Sequence, residues 1–253
     1  MGRLQDKVAL VTGAASGLGS AIARKLHAEG ARVMIGDLQD EAAARLAAEL
    51  GERAAAVHHD VTDEASWATA LQAVQARFGA LEVLVNNAGI LEQGSIETAT
   101  LAQWRRLMQV NAESVFIGCQ QGIAAMRARG GSIVNVASVA SWMPVEGYVA
   151  YGASKAAVAS LTRSAAFSCR RNGWPVRVNS VHPDGIDTPM MRASLPPGVP
   201  PQRLLWDAER NPRGRAYPPE AIADVVAYLA SDEARVISGA ELRADNAILG
   251  QGL

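Results

Sequence analysis

Three polar residues in the second half of the chain, Ser138, Tyr151 and Lys155, have types and spacing suited to acid–base chemistry. Tyr151 and Lys155 are four residues apart in YGASKAA, which places them one turn apart on one face of a predicted helix. A lysine ammonium beside a phenol favours the phenolate and lowers a tyrosine pKa that is ordinarily about 10. Tyr151 would then serve as a general acid or base, with Ser138 donating a hydrogen bond to a carbonyl oxygen. The alternative is a solvated helix face, but the chain has only three lysines, which makes chance placement a poor explanation.

A glycine-rich turn, TGAASGLG at residues 12–19, is a second candidate site, between a predicted strand and a predicted helix. Backbone amides in such a turn approach a pyrophosphate closely, and the N-terminus of the following helix favours its negative charge. The spacing is G-x-x-x-G-x-G and differs from the general dinucleotide fingerprint G-x-G-x-x-G. The candidate cofactor-binding residues of the turn are Gly13, Ser16, Gly17, Leu18 and Gly19.

Asp37 is the candidate acidic partner of this turn, because it ends the predicted second strand, 24 residues after Gly13. An acid at this place can hold the hydroxyls of an adenosine ribose. Residues 33–44 contain no Arg or Lys to meet a 2′-phosphate, and Ser16 is uncharged. We therefore expect NAD as the cofactor. The alternative role for Asp37 is to cap the helix predicted over 40–50.

The elements that must position these residues alternate regularly along the chain. Strands are predicted at 7–12, 32–37, 54–60, 82–88, 132–138 and 176–183, with a last short strand near 239–243. Helices are predicted at 17–29, 40–50, 63–78, 98–127, 150–172 and 219–231. Continuously apolar strands separated by helices are typical of a parallel sheet buried on both faces. We predict a single α/β domain over residues 1–253, doubly wound, with a parallel sheet of about seven strands and helices on both faces.

Residues 189–219 interrupt this alternation, since they contain eight of the 11 prolines. The segment is too long for a simple connection in a compact domain, which favours a substrate lid or binding loop. A disordered insertion is the alternative, but the methionines, leucines and Trp206 in the segment disfavour it.

Composition excludes several classes of protein. With 49% hydrophobic and 19% charged residues the chain is not disordered, and a formal net charge of −1 lacks the basic excess of a nucleic-acid binder. Cys119 and Cys169 do not make a disulfide framework, and we find neither a secretory signal nor an apolar run of membrane-spanning length. His58 and His59 would point to opposite faces of a strand, so we expect no metal site. We expect a cytoplasmic protein without a nucleic-acid or membrane partner.

Taken together, the motifs resemble those of the short-chain dehydrogenase/reductase family. The resemblance runs from residue 12 to residue 188 and rests on TGAASGLG, Asp37, Asp60-Val61, Asn87-Ala88-Gly89, Asn111, Ser138, YGASK and the segment from Pro183 to Thr188. It implies a Rossmann-type fold and an NAD-dependent oxidoreductase that interconverts secondary alcohols and ketones by hydride transfer. In one departure, the family usually has Pro-Gly where this chain has Pro183-Asp184, with Gly185 following. The resemblance therefore does not predict the backbone geometry at the nicotinamide face. Asp184 is a candidate for supporting the residues that contact the cofactor there.

The resemblance also implies a role for each catalytic residue. Tyr151 is the proton donor and acceptor, Lys155 binds the nicotinamide ribose and lowers the tyrosine pKa, and Ser138 orients the substrate oxygen. Asn111, within the predicted helix 98–127, would hold a water that joins Lys155 to solvent in a proton relay.

The family's cofactor contacts are carried over in the same way. Asp60 and Val61 would contact adenine, and Thr188 would hold the nicotinamide carboxamide. The remaining implied cofactor-binding residues are Asn87, Ala88, Gly89, Pro183, Gly185 and Ile186, together with Tyr151 and Lys155.

The substrate prediction rests on resemblance and on apolar composition. Residues 111–126, 181–191 with 193–196, and 244–253 resemble steroid-oxidising members of the family, which implies a 3β- or 17β-hydroxysteroid. Apolar side chains that follow Ser138 and Thr188 fit such a substrate: Trp142, Met143, Pro144, Val145, Met190, Met191, Leu195, Leu204, Leu205 and Trp206. These side chains have an alternative role in packing against neighbouring subunits.

Three further points stay open at this stage. A ketoacyl or small-sugar reductase is the second enzyme reading, and a nucleotide-sensing protein that has lost catalysis is the non-enzyme reading. The family resemblance implies a homotetramer. Trp104 and Phe116, on the predicted helix 98–127, are either core or subunit-interface residues.

Overall fold

A computed structural model describes residues 2–195 and 198–250 of the chain. The strands are β1 (Val8–Thr12), β2 (Arg32–Asp37), β3 (Ala54–His58), β4 (Val83–Asn86), β5 (Gly131–Val136), β6 (Val176–Pro183), β7 (Gly185–Ile186), β8 (Ala216–Tyr217) and β9 (Glu241–Ala244). The helices are α1 (Gly17–Ala28), α2 (Asp40–Leu50), α3 (Glu64–Phe78), α4 (Leu101–Met108), α5 (Ser114–Met126), α6 (Val149–Arg171), α7 (Pro189–Ala193) and α8 (Pro219–Ala230).

Seven strands form one parallel sheet in the order β3-β2-β1-β4-β5-β6-β9. This confirms the predicted doubly wound, Rossmann-type α/β fold. The strand order reverses between β1 and β4, and ligands of such sheets bind in the crevice at the carboxyl ends of the strands beside that reversal. The remaining two strands, β7 and β8, form a separate short parallel pair.

Two apolar layers cover the sheet. On one face, α1, α2 and α8 bury residues such as Ile22, Leu46 and Leu229 against the strands. On the other face, α3, α5 and α6 bury residues such as Trp67 and Val158. Because both faces are covered, the strand interiors are apolar and the polar residues that could do chemistry collect at the strand ends.

The prediction of one helix over 98–127 is wrong in two respects. Helix α4 begins at Leu101, because Thr100 and Gln103 form a reciprocal capping box at its N-terminus. A π-helical turn at Gln109–Glu113 then separates α4 from α5. Such turns insert an extra residue into a helix and occur often at functional sites, and this one contains Asn111.

Ser138 was predicted to end the fifth strand, which is also wrong, since β5 ends at Val136. Ser138 instead begins a short 3₁₀ turn, in which its hydroxyl accepts a hydrogen bond from the backbone N–H of Ala140 at 3.1 Å. The strand predicted over 54–60 likewise ends early, at His58.

The proline-rich segment predicted as a lid contains regular structure: helix α7, a 3₁₀ turn at Pro201–Arg203, and strand β8. Its residues Pro196 and Pro197 lie outside the described residues, as do residues 251–253 of the C-terminal stretch 244–253. Within the described ranges, none of the helices combines the length and apolar character that crossing a membrane requires.

Candidate active site

A cleft of about 420 Å³ lies at the carboxyl ends of the strands, beside the reversal between β1 and β4. It brings together most of the residues singled out in the sequence: Gly13, Ser16, Gly17, Leu18, Gly19, Asp37, Val61, Asn87, Ala88, Gly89, Ser138, Tyr151, Lys155, Pro183, Ile186 and Thr188. Three predicted site residues, Asp60, Asn111 and Gly185, stand outside this lining.

The glycine turn has no room for side chains at its tightest points. A Cβ atom added to Gly19 would lie 2.1 Å from the carbonyl oxygen of Gly13, well inside van der Waals contact. Gly13 itself has φ +61°, and its Cβ would lie 2.8 Å from the Cα of Ala88. The turn therefore presents bare backbone to the cleft, which is the surface that a pyrophosphate requires.

Asn87 and Thr12 hold the glycine turn against the end of β4. The Asn87 amide nitrogen donates to the carbonyls of Thr12 and Gly13, at 2.9 and 3.0 Å. The Thr12 hydroxyl accepts from the backbone N–H groups of Asn87 and Ala88, both at 3.1 Å. The Asn87 side chain therefore fixes the shape of the turn.

Asp37 is buried at the end of β2, and its carboxylate bonds to the backbone on both sides. Oδ2 accepts from the N–H of Ala15 in the glycine turn, and Oδ1 accepts from the N–H of Gln39 just before α2, both at 2.9 Å. The alternative role of Asp37 as the cap of α2 is wrong, because Gln39 occupies the N-cap position and no side chain makes a capping bond there. Each carboxylate oxygen keeps a second acceptor position, which leaves the group able to bind a ribose diol as well.

The cleft offers little positive charge to a 2′-phosphate. Among the described residues that line it, Lys155 is the only Lys or Arg. The two residues that follow Asp37 in the lining, Leu38 and Gln39, are uncharged.

Asp60 lies outside the cleft lining because its carboxylate is used locally. It accepts from the backbone N–H and the hydroxyl of Thr62, at 2.9 and 2.7 Å, and these bonds lower the pKa of Asp60. The cleft wall here is formed by Val61 and by His59, which the sequence did not single out as a cofactor contact. His58 is exposed and bonds to Asp40, so the two histidines point apart as predicted.

Lys155 lines the cleft and is almost fully buried there. Its Nζ donates to the carbonyl oxygen of Val136 at 2.9 Å and lies 5.7 Å from the centre of the Tyr151 ring. Burial disfavours the ammonium and lowers the pKa of Lys155 to about 8.

The pKa of Tyr151 moves opposite to the predicted direction. Burial raises it above the ordinary value of 10, and the neighbouring Ser138 hydroxyl offsets that rise only in part. The predicted lowering by Lys155 does not prevail in this structure, because desolvation of the buried phenolate dominates. Tyr151 is therefore a phenol at neutral pH.

Asn111 is fully buried behind the cleft, inside the π-helical turn. Its amide nitrogen donates to the carbonyl of Ile90 at 2.9 Å and to the Ser154 hydroxyl at 3.2 Å, while its oxygen accepts from the N–H of Ile90 at 2.8 Å. A Cβ atom on Gly89 would lie 3.3 Å from the Asn111 oxygen and 3.6 Å from Lys155 Nζ, so both side chains border the space beside this glycine.

His182 supports Ser138, a role that sequence reasoning missed. It is fully buried in β6, where Nδ1 donates to the carbonyl oxygen of Ser138 at 3.1 Å and Nε2 accepts from the Ser180 hydroxyl at 2.8 Å. Burial lowers the pKa of His182 to about 4, so the ring is neutral, and it stacks on Trp142 with centroids 4.2 Å apart. The signal in the sequence was a pair of polar residues, Ser180 and His182, at the end of an apolar strand directly before Pro183. Because they are two residues apart in the strand, their side chains share one face.

A second pocket, of about 260 Å³, opens on Ser138 and Tyr151 beside the first. Its apolar lining includes Leu91, Val139, Met143, Val145, Met190 and Met191. The other apolar residues predicted at the substrate do not line it: Trp142 stacks on His182, Trp206 lies against Tyr217 with centroids 5.9 Å apart, and Pro144, Leu195, Leu204 and Leu205 are absent from the wall. Gly185, predicted to contact the cofactor, lines this second pocket.

Comparison with known proteins identifies a matching family model and several similar chains. A family model described as enoyl-(acyl carrier protein) reductase matches residues 13–247. The chain is 60% identical over 251 residues to the 3-beta-hydroxysteroid dehydrogenase of Comamonas testosteroni, covering 99% of both chains. It is 42% identical over 245 residues to the 3-alpha-(or 20-beta)-hydroxysteroid dehydrogenase of Mycobacterium tuberculosis, covering 96% of this chain and 90% of the relative. It is 39% identical over 252 residues to the trans-4-hydroxycyclohexanecarboxylate dehydrogenase of Sinomonas cyclohexanicum, covering 96% and 93%.

Proposed function

Because this chain belongs to the short-chain dehydrogenase/reductase family, we propose that it is an NAD-dependent dehydrogenase that interconverts 3β/17β-hydroxysteroids and their ketones. The observation that carries the proposal is the mostly apolar pocket that opens on Tyr151 and Ser138 beside a glycine-lined cleft. The names of the relatives agree with it, since two are hydroxysteroid dehydrogenases and a third acts on a hydroxylated cyclohexane ring.

The cleft fits a dinucleotide, because its glycine turn leaves bare backbone where a side chain would clash. Gly13, Gly17 and Gly19 would hold the pyrophosphate, Asp37 the adenosine ribose, and Lys155 the nicotinamide ribose. When bound, the nicotinamide cofactor supplies or accepts the hydride. The absence of cations beside Asp37 in the described lining supports NAD over NADP.

The chain itself supplies the proton and the orientation of the reacting oxygen. In the reductive direction the Tyr151 hydroxyl donates its proton to the carbonyl oxygen, and in the oxidative direction the phenolate accepts the proton of the alcohol. The Ser138 hydroxyl donates a hydrogen bond to the same oxygen. Lys155 and Asn111 would return the proton to solvent through a bound water, which the proximity of both side chains to Gly89 supports.

A ketoacyl reductase is the second candidate, favoured by the acyl-carrier substrate in the family model's description and by the arginines of the lid segment. A carrier protein would need those arginines free for its acidic surface. Two of them are already neutralised, since Arg192 pairs with Asp187 and Arg215 pairs with Asp184. The apolar pocket beside Tyr151 therefore favours the steroid.

A substrate competition tests this proposal. The purified protein is assayed with NAD and a 3β-hydroxysteroid, with NAD and testosterone, with NADH or NADPH and a ketoacyl thioester, and with NAD and glucose. We expect kcat/KM for a steroid to exceed that for the thioester and glucose by at least about tenfold. If the thioester or glucose is preferred by that margin, the steroid assignment is wrong while the dehydrogenase assignment stands.

We further propose that the protein is a homotetramer and lies in the cytoplasm. Trp104 of α4 and Phe116 of α5 are 39% and 52% exposed, and Phe167 of α6 is 66% exposed. Large apolar side chains left this open on neighbouring helices favour burial against another copy of the chain. The molar mass in solution, measured by light scattering, distinguishes a tetramer from a dimer or a monomer.

A further inference from the structure

A bidentate ion pair joins the proline-rich segment to the catalytic edge of the sheet. Arg215 Nε and Nη2 donate to the two carboxylate oxygens of Asp184, both at 2.8 Å. The Asp184 side chain is only 7% exposed and that of Arg215 is 46% exposed, so the pair is shielded on the acidic side. Fork-shaped pairs of this kind are stronger and more directional than single surface contacts.

The ion pair is the sole salt bridge, within the described parts of the chain, between residues 198–218 and the rest of the molecule. It lies beside the β7–β8 pairing, in which Gly185 is in register with Ala216. The two backbones touch here, because a Cβ atom on Gly185 would lie 2.5 Å from the carbonyl oxygen of Arg215.

Residues 204–217 are connected internally and so form one unit, which we term the substrate loop. The backbone N–H of Trp206 donates to the carbonyl of Ala216 at 2.8 Å, and the N–H of Ala216 donates to the carbonyl of Leu204 at the same distance. The Trp206 ring lies against that of Tyr217. A contact made by Arg215 therefore constrains residues 204–217 together, in addition to the β7–β8 pairing.

Asp184 lies where the two cavities meet. It lines both the cofactor cleft and the substrate pocket, and Arg215 lines the pocket with it. We propose that the Asp184–Arg215 pair is a clasp that positions the substrate loop at the pocket and thereby sets the affinity for substrate. Both are positioning residues, and the link to substrate affinity rests on the proposed function.

The kinetic test uses Asp184→Asn and Arg215→Gln, with Arg213→Gln as the matched control, because Arg213 lies in the same loop and makes no ion pair among the described residues. Each clasp variant should raise KM for a 3β-hydroxysteroid about tenfold and lower kcat by a smaller factor, whereas Arg213→Gln should leave KM within about twofold of the unmodified protein. KM of the double variant should be no higher than that of either single variant, since all three lack the same ion pair. Arg215→Lys keeps the positive charge but loses the two-pronged hydrogen bonding of the guanidinium. Its KM should lie between those of the unmodified protein and Arg215→Gln.

Amide hydrogen exchange of residues 204–217 provides a readout that needs no substrate. We expect faster exchange in both clasp variants and unchanged exchange in the Arg213→Gln control. Unchanged exchange in the clasp variants overturns the proposal, and so does faster exchange without a rise in KM. If the unmodified protein oxidises no hydroxysteroid, the proposed function fails, and the exchange result still decides whether the clasp holds the loop.

Discussion

Burial acts on Tyr151 and Lys155 in opposite directions, raising the pKa of the first and lowering that of the second to about 8. In the proposed mechanism, alcohol oxidation uses the phenolate of Tyr151. Because burial raises the pKa of Tyr151, the phenolate population at neutral pH is small and grows with pH. Oxidation should therefore rise with pH throughout the range from about pH 6 to about pH 10, and ketone reduction, which uses the phenol, should stay flat across that range.

The check is kcat/KM against pH in both directions. His59 and His182 do not titrate in this range, because burial lowers the pKa of each to about 4, whereas Lys155, with a pKa of about 8, titrates within it. An oxidation rate that falls across this range would contradict the assignment of the base.

Replacement of Tyr151 by Phe removes only the hydroxyl that the proposed proton transfer uses. We expect Tyr151→Phe to lower kcat by about 10²–10⁴. The Kd for NAD and the thermal unfolding midpoint should stay near those of the unmodified protein, because Lys155 and the glycine turn are untouched. A folded variant that keeps near-normal turnover would remove Tyr151 from the mechanism.

Asp37 should make the protein prefer NAD strongly. A 2′-phosphate removes one ribose hydroxyl donor and brings a dianion to a buried carboxylate, which should cost at least about 3 kcal/mol, or roughly a hundredfold in affinity. Titration of both reduced cofactors by fluorescence gives the ratio directly. Asp37→Asn keeps an oxygen acceptor for the backbone N–H of Ala15 or Gln39. It should reduce the difference in affinity between NAD and NADP. Equal affinity of the unmodified protein for both cofactors would exclude this role.

At the scale of the elements, the glycine turn joining β1 to α1 is the part most sensitive to added volume. In Gly19→Ala the new methyl group would meet the Gly13 carbonyl at 2.1 Å, and we expect loss of NAD affinity by more than about tenfold. Gly51→Ala is the control: its φ of +82° makes alanine strained, yet nothing lies within 4 Å of the added Cβ. Both variants should be less stable by calorimetry, and only the first should bind NAD weakly. Unaltered NAD binding by Gly19→Ala would show that the turn does not hold the cofactor.

The elements themselves were largely predictable, since β2, α2 and β6 lie where apolar runs and helical spacing placed them. The π-helical turn was not, because nothing in the local pattern around Asn111 shows that its side chain bonds to Ile90, 21 residues earlier. The same limit applies to Ser138, whose bond to Ala140 ends the strand geometry early.

Long-range contacts of the candidate site were also beyond a reading of the sequence. The partners Asp184 and Arg215 are 31 residues apart, and His182 reaches Ser138 across 44 residues. The sign of the Tyr151 pKa was mispredicted for a related reason: sequence spacing shows a neighbouring lysine but does not show how deeply both groups are buried.

At the scale of the whole molecule, one sheet places the glycine turn, the acid of β2 and the residues that follow β5 at a common edge. This convergence follows from the parallel topology, because the carboxyl ends of all seven strands meet at one side. The substrate pocket is added at the same edge by β7, α7 and the substrate loop. The central claim is therefore that a steroid and NAD bind at this edge and that a hydride passes between the steroid carbinol carbon and the cofactor.

Isotope transfer measures that claim most directly. A 3β-hydroxysteroid bearing deuterium on its carbinol carbon is incubated with the purified protein and NAD, and the reduced cofactor is analysed by mass spectrometry. The account requires that the deuterium appear in the nicotinamide ring of NADH, in amounts equal to the ketone formed, and that Tyr151→Phe suppress both products together. Ketone formed without deuterium in NADH, or no NADH formed from the steroid at all, would contradict it.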